Sequence, residues 1–465
     1  MRAREFLDLL EPLDGAEVDA ASLAAGITDA IRRRRLPAGV DMPSERDLAD
    51  ALGRSRGLVA RAYERLRVEG LAHTRHGAAT TVGCCQGPWA SSRAAQLAPL
   101  VRPALRPAGS IIDLREPRWE LLENAEASEG DRAPTTTITD GDADARSALL
   151  DGLGSHLESH GVTPGHLHAT GGVMQAFDVV LAALLRPGDR VLVPALLPPR
   201  LRALLRIRGV HPVALPLDET GRADLPSWLS AIRSRQAGVA LLTASHAAPT
   251  GAVLHAHERQ LLVEAADQAA LTIVEDLSYH DLWITRPPPP PLASFGPGAG
   301  DRTLSVGGLD ASLGGRQSLG WIHTSDHAVS ERVAVITDTL GAEPASGNLE
   351  VVARSYAGHA ALHRRWRDHL AQQLGIAIRA VTPVAPRITV APCDGGPYLW
   401  LPTVGIPGSQ LADAVRERGL LVGAGSSWAL GSRRPEAVAL AVTCSPEELA
   451  AALEMIVDEA RILSR

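Results

Sequence analysis

The stretch ATGGVMQAFDVVLAALLRPGDRVLVP, residues 169–194, decides the architecture. Its first half, Gly172 to Leu185, repeats apolar residues with helical period. Pro187-Gly188-Asp189 then breaks the chain, and Arg190-Val191-Leu192-Val193 is a short apolar run of strand length. The same alternation recurs downstream. Val239 to Leu242 and Thr272 to Val274 are apolar runs bounded by turns, as strands buried on both faces require. A helical segment, His257 to Ala269, lies between them. This order predicts an α/β fold around a central, mostly parallel sheet. The tail, from Gly405 to Arg465, reads as a smaller unit of strand and helix, so the class is a large α/β domain followed by a small α+β domain.

Upstream, the pattern changes. Residues 1–30 carry two Arg against seven acids, residues 31–83 carry eleven Arg against six, and residues 84–465 carry 33 Arg against 40. A locally basic segment in a chain of net charge −7 is the electrostatic footprint of a nucleic-acid-binding module. Ala20 to Arg35 has helical period and ends in four arginines, which suit the last turn because they oppose the helix dipole. Leu36-Pro37-Ala38-Gly39 interrupts it. Ser44 is placed to cap a second helix, with Asp47 three residues on, and Gly53-Arg54 forms a turn. Ser55 then caps a third helix, from Arg56 to Glu69, which Gly70 stops. Two short helices joined by a tight turn fit a helix-turn-helix whose second helix enters the major groove. Leu71 to Val82 reads as a two-stranded wing with a basic tip. Residues 84–110, with recurring Pro and Gly and no sustained period, read as a linker. The division expected is therefore 1–83, 84–110 and 111–465.

The run LPAGVDMPSERDLADALGRSRGLVARAYERLRVEGLAHTRHGAATTV, residues 36–82, resembles the winged helix-turn-helix of GntR-type bacterial regulators. The resemblance implies double-stranded DNA as partner. It places Arg46, Ser55, Arg56 and Arg61 at phosphates and bases, with Arg54 in the turn and Arg75 and His76 on the wing. Arginine suits that role because its guanidinium binds guanine bidentately or a phosphate. Leu58 stands where that family usually has a threonine hydroxyl.

The remainder resembles fold-type I aminotransferases, in the combination found in MocR-type regulators of the GntR superfamily. The resemblance is carried by residues 169–194, by LLTASHAAPTGAVLHAHERQLLVEAA, by VEDLSYHDL, by HRRWR at 363–367 and by GGPYLWL at 395–401. It implies that Asp276 faces a pyridinium nitrogen and Tyr279 a ring hydroxyl; Gly172 and Arg316 join them in a candidate ligand pocket, and His246, in the Ser245-His246 motif at its mouth, either contacts a ligand or serves the structure of that motif. The departures are concentrated where that family holds pyridoxal phosphate. In GGLDASLGGRQSLGW, residues 307–321, Ala311 replaces the lysine, Asp310 the adjacent serine, and Ser318 the phosphate-pairing arginine. Pro198 stands in place of the stacking aromatic, and Ala439 in place of the carboxylate-binding arginine. All 46 basic side chains of the chain are arginine, so no lysine amine exists to form an imine. A coding bias toward Arg, Ala, Gly and Pro accounts for the general depletion of lysine.

The expectation is a DNA-binding transcriptional regulator. Its aminotransferase-like domain acts as a catalytically inactive effector-sensing and dimerisation module, without Schiff-base pyridoxal phosphate. The family resemblance implies a homodimer and leaves room for a small-molecule effector. Two rivals stand beside it: a transaminase-like enzyme holding pyridoxal or pyridoxamine phosphate noncovalently, and an architectural dimer with no ligand. Composition adds negative expectations. No long uncharged apolar run predicts a membrane span, the N-terminus lacks the apolar core of a signal peptide, and a cytoplasmic location follows. Cys84, Cys85, Cys393 and Cys444 have no metal spacing. No histidine pair shows zinc spacing with an acid partner, so no metal is expected. The proline run Pro287 to Pro291 reads as a stiff surface loop.

Overall fold

The computed structural model describes residues 3–7, 9–10, 19–32, 36, 40–68, 72–74, 80–82, 111–122, 140–218, 220–295, 302–313, 318–344, 356, 358–381, 387–430 and 435–464. The chain forms two compact units, Met1–Pro103 and Ala104–Arg465. The expected linker lies outside the described residues, as do Arg33 to Arg35, the wing tip with Arg75 and His76, and Arg316.

The first unit contains α1 (Ala3–Leu7), α2 (Ala20–Arg32), α3 (Glu45–Leu52), α4 (Arg56–Val68), β1 (Ala72–Thr74) and β2 (Thr80–Val82). Each boundary has a local cause. The Ser44 hydroxyl accepts from the Asp47 amide at 3.1 Å and caps α3. Gly53, at φ 63°, closes that helix in the left-handed conformation, which costs a residue without Cβ little. The Ser55 hydroxyl accepts from the Leu58 amide at 3.3 Å at the start of α4. Leu23, Ile27, Leu48, Val59, Tyr63 and Leu66 fill the core between the three helices. The antiparallel β1–β2 pair is the wing. It is extended by Val40 and Met42, whose backbones bond to Val82 and Thr80.

The second unit opens with β3 (Ile112–Asp113), α5 (Asp140–Ser159), β4 (His166–Thr170), α6 (Val173–Leu184), β5 (Arg190–Pro194), α7 (Pro199–Arg208) and β6 (His211–Leu215). Next come α8 (Leu225–Arg233), β7 (Val239–Leu242), α9 (Ala256–Ala269), β8 (Thr272–Asp276), β9 (Thr303–Gly308), α10 (Asp310–Leu313), β10 (Gly320–Thr324) and α11 (His327–Leu340). Seven strands form one sheet in the order β4-β10-β9-β8-β7-β5-β6. Within it, β10 runs antiparallel to both of its neighbours. The period of two along each strand divides the side chains between two cores. Val191, Val193, Leu241 and Val274 meet α6, α7 and α11 on one face. Leu192, Ala240, Leu242 and Ile273 meet α8 and α9 on the other.

The chain then continues through α12 (His359–Val381), β11 (Tyr398–Pro402), α13 (Gly408–Glu417), β12 (Leu420–Leu421), β13 (Gly423–Ala424), α14 (Gly425–Trp428), β14 (Ala437–Ala441) and α15 (Pro446–Leu463). β11, β14 and β13 make a small antiparallel sheet. Its apolar face packs on α12, α13 and α15 through Leu399, Leu401, Val438, Leu362, Trp366 and Leu453. β12 pairs in parallel with β3, which ties the start of this unit to its C-terminal lobe. Among the described residues, no helix is long and apolar enough to cross a membrane.

Arg259 of α9 is fully buried, with the Glu275 carboxylate 3.7 Å away. Arg259→Met strands that carboxylate, and we expect a loss of roughly 3–5 kcal/mol in denaturant unfolding. His246 and His323 are buried, and desolvation lowers each to about 4. Both folded values lie below the ordinary value, so stability is full above about pH 6.5 and falls as pH drops toward 4, by on the order of 3 kcal/mol for each ring. Thermal melts across that window report the loss, and His323→Gln removes that ring's share of it while the share of His246 remains.

Candidate functional site

Two surfaces carry the chemistry. In the first unit, Arg46, Arg54, Ser55, Arg56 and Arg61 are all exposed, and they cluster around the α3–α4 turn and the first turns of α4. Arg56 forms an exposed ion pair with Glu45 at 3.3 Å, which steadies the guanidinium at little energetic cost to release. Tyr63, from the buried face of α4, donates to the Pro43 carbonyl at 2.9 Å and fixes the angle between the two helices. The result is a helix N-terminus flanked by exposed guanidinium groups, the arrangement that binds a phosphate oxygen and presents arginine to base edges.

In the second unit, a cavity of about 280 Å³ lies between the C-terminal ends of the large-sheet strands and the small sheet. Asp276 at the end of β8, Tyr279 just beyond it and Ala311 of α10 line it, as do Glu116, Arg200 and Tyr398. The Asp276 carboxylate accepts from the Ser278 amide at 2.9 Å, and burial raises its pKa against that bond. Burial likewise raises Glu116, opposed by the charge of Arg200 and by the Tyr398 hydroxyl, which donates to it at 3.5 Å. Asp310 is pushed up to about 6 by burial, opposed by its hydrogen bond to Ser318 and by Arg200. Trp119 closes one side, its ring 6.3 Å from that of Tyr279.

The corner between β10 and α6 is tightly built. A Cβ at Gly172, whose φ is 154°, would fall 2.6 Å from the Ser318 hydroxyl. A Cβ at Gly320 would fall 2.5 Å from the Gly172 backbone. Gly172 therefore shapes this corner through what it lacks. Arg316 lies outside the described residues. For His246 the structure corrects the expectation of a pocket residue and leaves the structural role: it is 1% exposed and is not among the residues lining the cavity. Its ring is packed beneath Gly395, where a Cβ would approach within 2.7 Å. Ala439 lies beside Trp400 and Trp428 in an apolar cluster on the face of the small sheet that also carries Tyr398.

Sequence reasoning missed Glu116, Trp119, Arg200 and Tyr398 as lining residues. Arg200 was signalled only by its place two residues after Pro198. Glu116 precedes any periodic segment and carried no local signal. Sequence reasoning also missed the meeting of His156 and His160 with Asp281, a carboxylate 125 residues beyond His156 in the chain.

Residues 20–82 match the family model of bacterial regulatory proteins of the gntR family, and residues 117–456 match that of aminotransferase class I and II. The chain is similar to the HTH-type pyridoxine biosynthesis transcriptional regulator PdxR of Corynebacterium glutamicum, with 26% identity over 75% of each chain. It is also similar to the HTH-type transcriptional regulator YisV of Bacillus subtilis, with 27% identity over 66% of this chain and 67% of that one. Among solved structures, the multiple substrate aminotransferase of Thermococcus profundus superposes with a TM-score of 0.66 at 17% identity, covering 80% of this chain and 96% of that one. A probable N-succinyldiaminopimelate aminotransferase from Thermus thermophilus gives 0.63 at 23% identity, covering 76% and 95%. The domain order is that of MocR-type regulators. The chain belongs to the aminotransferase class I and II family through residues 117–456, joined to an N-terminal helix-turn-helix of the gntR regulatory family.

Proposed function

We propose that this DNA-binding transcriptional regulator uses its aminotransferase-like unit as a noncatalytic sensing and dimerisation module that does not hold pyridoxal phosphate. The observation that carries this reading is the Ala311 methyl in the cavity wall, in a chain with no lysine. The residues present do not fit the cofactor. No side-chain amine is available to bond it. The corner where its phosphate would sit carries the Asp310 carboxyl paired with Ser318, and a carboxylate repels a phosphate dianion. Asp276 and Tyr279 remain, but the carboxyl groups of Glu116, Glu120, Asp276 and Asp310 outnumber Arg200 among the described lining residues.

A regulator of this kind works by population shift. A small molecule entering the cavity contacts Asp276 and Tyr279 on the large lobe and Tyr398 on the small one, so it binds the closed arrangement better than the open one. The differential affinity sets the size of the response, about tenfold in DNA affinity for each 1.4 kcal/mol. In a homodimer, that closure alters the spacing of two DNA readers, and two half-sites multiply a weak single-site affinity.

Two experiments test this reading. Full-length protein incubated with pyridoxal phosphate and then dialysed should be colourless, and Ala311→Lys alone should remain so because Asp310 persists. A retained cofactor band in the wild type, or turnover of an amino acid, overturns the reading. For the DNA face, Arg56→Ala and Arg61→Ala should each weaken operator binding and lower the slope of log affinity against log salt by about 1 where the lost contact is to a phosphate. Unchanged gel-shift affinity in both variants would remove them from the interface.

A further inference from the structure

Beneath the larger cavity lies a second one of about 30 Å³, lined by His156, His160, His280, Asp281, Ser312 and His363. Its donors converge from separate parts of the chain. His156 is on α5, with His160 one helical turn further on, a spacing of four residues that puts both rings on one side. Asp281 lies five residues beyond Asp276, in the turn after β8, and His363 is on α12. The Asp281 carboxylate is 3.0 Å from His156 Nε2, 3.6 Å from His160 Nε2 and 3.8 Å from His363 Nδ1. The donor atoms of His156, His160 and Asp281 all lie within 4.8 Å of one another.

The carboxylate–imidazole distances, 3.0 to 3.8 Å, bracket the edge of a coordination polyhedron. Ligand atoms about 2.0–2.1 Å from a tetrahedral ion stand roughly 3.3 Å apart along an edge. The hydrogen bonds on the far sides of the rings agree. His160 Nδ1 is 2.9 Å from the His156 carbonyl oxygen, which only accepts, so this nitrogen donates. In the neutral ring, Nε2 is then a bare lone pair directed at a carboxylate oxygen. Two lone pairs facing each other at 3.6 Å need a positive charge, a proton or a metal ion, between them. His363 Nε2 is held at 2.9 Å by the Ser312 hydroxyl, which leaves its Nδ1 toward the same carboxylate. An outer hydrogen bond that fixes the ring while the inner nitrogen points at a shared centre is how metal-ligating histidines are held.

We propose that His156, His160 and Asp281 form a binding site for a divalent transition-metal ion, with His363 Nδ1 or water as the fourth ligand. Imidazole nitrogen with a single carboxylate selects zinc, cobalt or nickel over magnesium or calcium, which take oxygen ligands. The ion ties α5 to the turn that follows Asp276 and to α12, the helix on which the small sheet and α15 pack. The site does not depend on the regulatory reading of the larger cavity.

The test is a titration of chelator-stripped, tag-free, full-length protein with Co²⁺, followed by visible absorbance. One ion per chain with the intense bands of a four-coordinate site is expected. His156→Ala and His160→Ala should each weaken uptake about 10–100-fold or more, whereas His211→Ala, on an exposed strand residue, should not. Should the alanine variants fail to fold, EPR of Cu²⁺-loaded wild-type protein counts the imidazole nitrogens directly, and two or three are expected. No ion uptake by the wild type identifies a hydrogen-bonded histidine–aspartate cluster only and overturns the proposal. So does wild-type uptake by folded His156 and His160 variants, or a Cu²⁺ spectrum without nitrogen coupling.

Discussion

The guanidinium of Arg259 has no contact with solvent, and its hydrogen bonds organise the second unit. It donates to the carbonyls of Leu254, Ala244 and Pro290 and to the Ser245 hydroxyl. Glu275 balances its charge, and that carboxylate accepts from the Leu292 amide at 2.7 Å. A charge in a low-dielectric interior is tolerable only when its donors are matched by acceptors. Here that requirement pins the end of β7, the end of β8 and the proline run to one point. The Pro287 to Pro291 segment is thus a brace whose Pro290 carbonyl is an acceptor for a buried cation.

The turn beyond β8 inherits its position from this brace. Ser245 also meets His280 Nδ1 at 3.0 Å, so the network reaches the turn that carries Tyr279 and Asp281. Asp276 and Tyr279 then line the larger cavity, and Asp281 lines the smaller one. Two sites of different chemistry are therefore set by one short segment, Asp276 to Asp281. The larger is rich in carboxyl groups and aromatic rings and offers no amine. The smaller gathers imidazoles around a single carboxylate.

The larger cavity carries the Ala311 methyl in its wall, and in a chain with no lysine it is offered no side-chain amine. Fold is set by packing of Val191, Leu241, Val274 and their neighbours, and none of those residues takes part in chemistry. Ala311, on the buried side of α10, leaves the sheet intact, because a methyl fits a wall that a longer chain would extend from. That separation is why a fold shared with aminotransferases leaves function to be argued from the site itself.

Much of this protein was legible in its sequence. The helix-turn-helix was readable because its signals are local: Ser44, Gly53 and Ser55 cap or stop helices close to themselves in the chain. The apolar runs at 190–193, 239–242 and 272–274 were readable as strands because burial on both faces demands such runs, and the absence of lysine needs no structure at all. Tertiary structure alone decided the rest. His246 looked like a pocket residue because of its neighbours in the chain, yet it packs beneath Gly395 of the C-terminal lobe. Glu116 and Tyr398 meet across 282 positions, and His156 and Asp281 across 125. Periodicity and capping act over one or two turns of chain, whereas a site is made where distant elements converge, and that convergence is fixed only by the packing of the completed sheet.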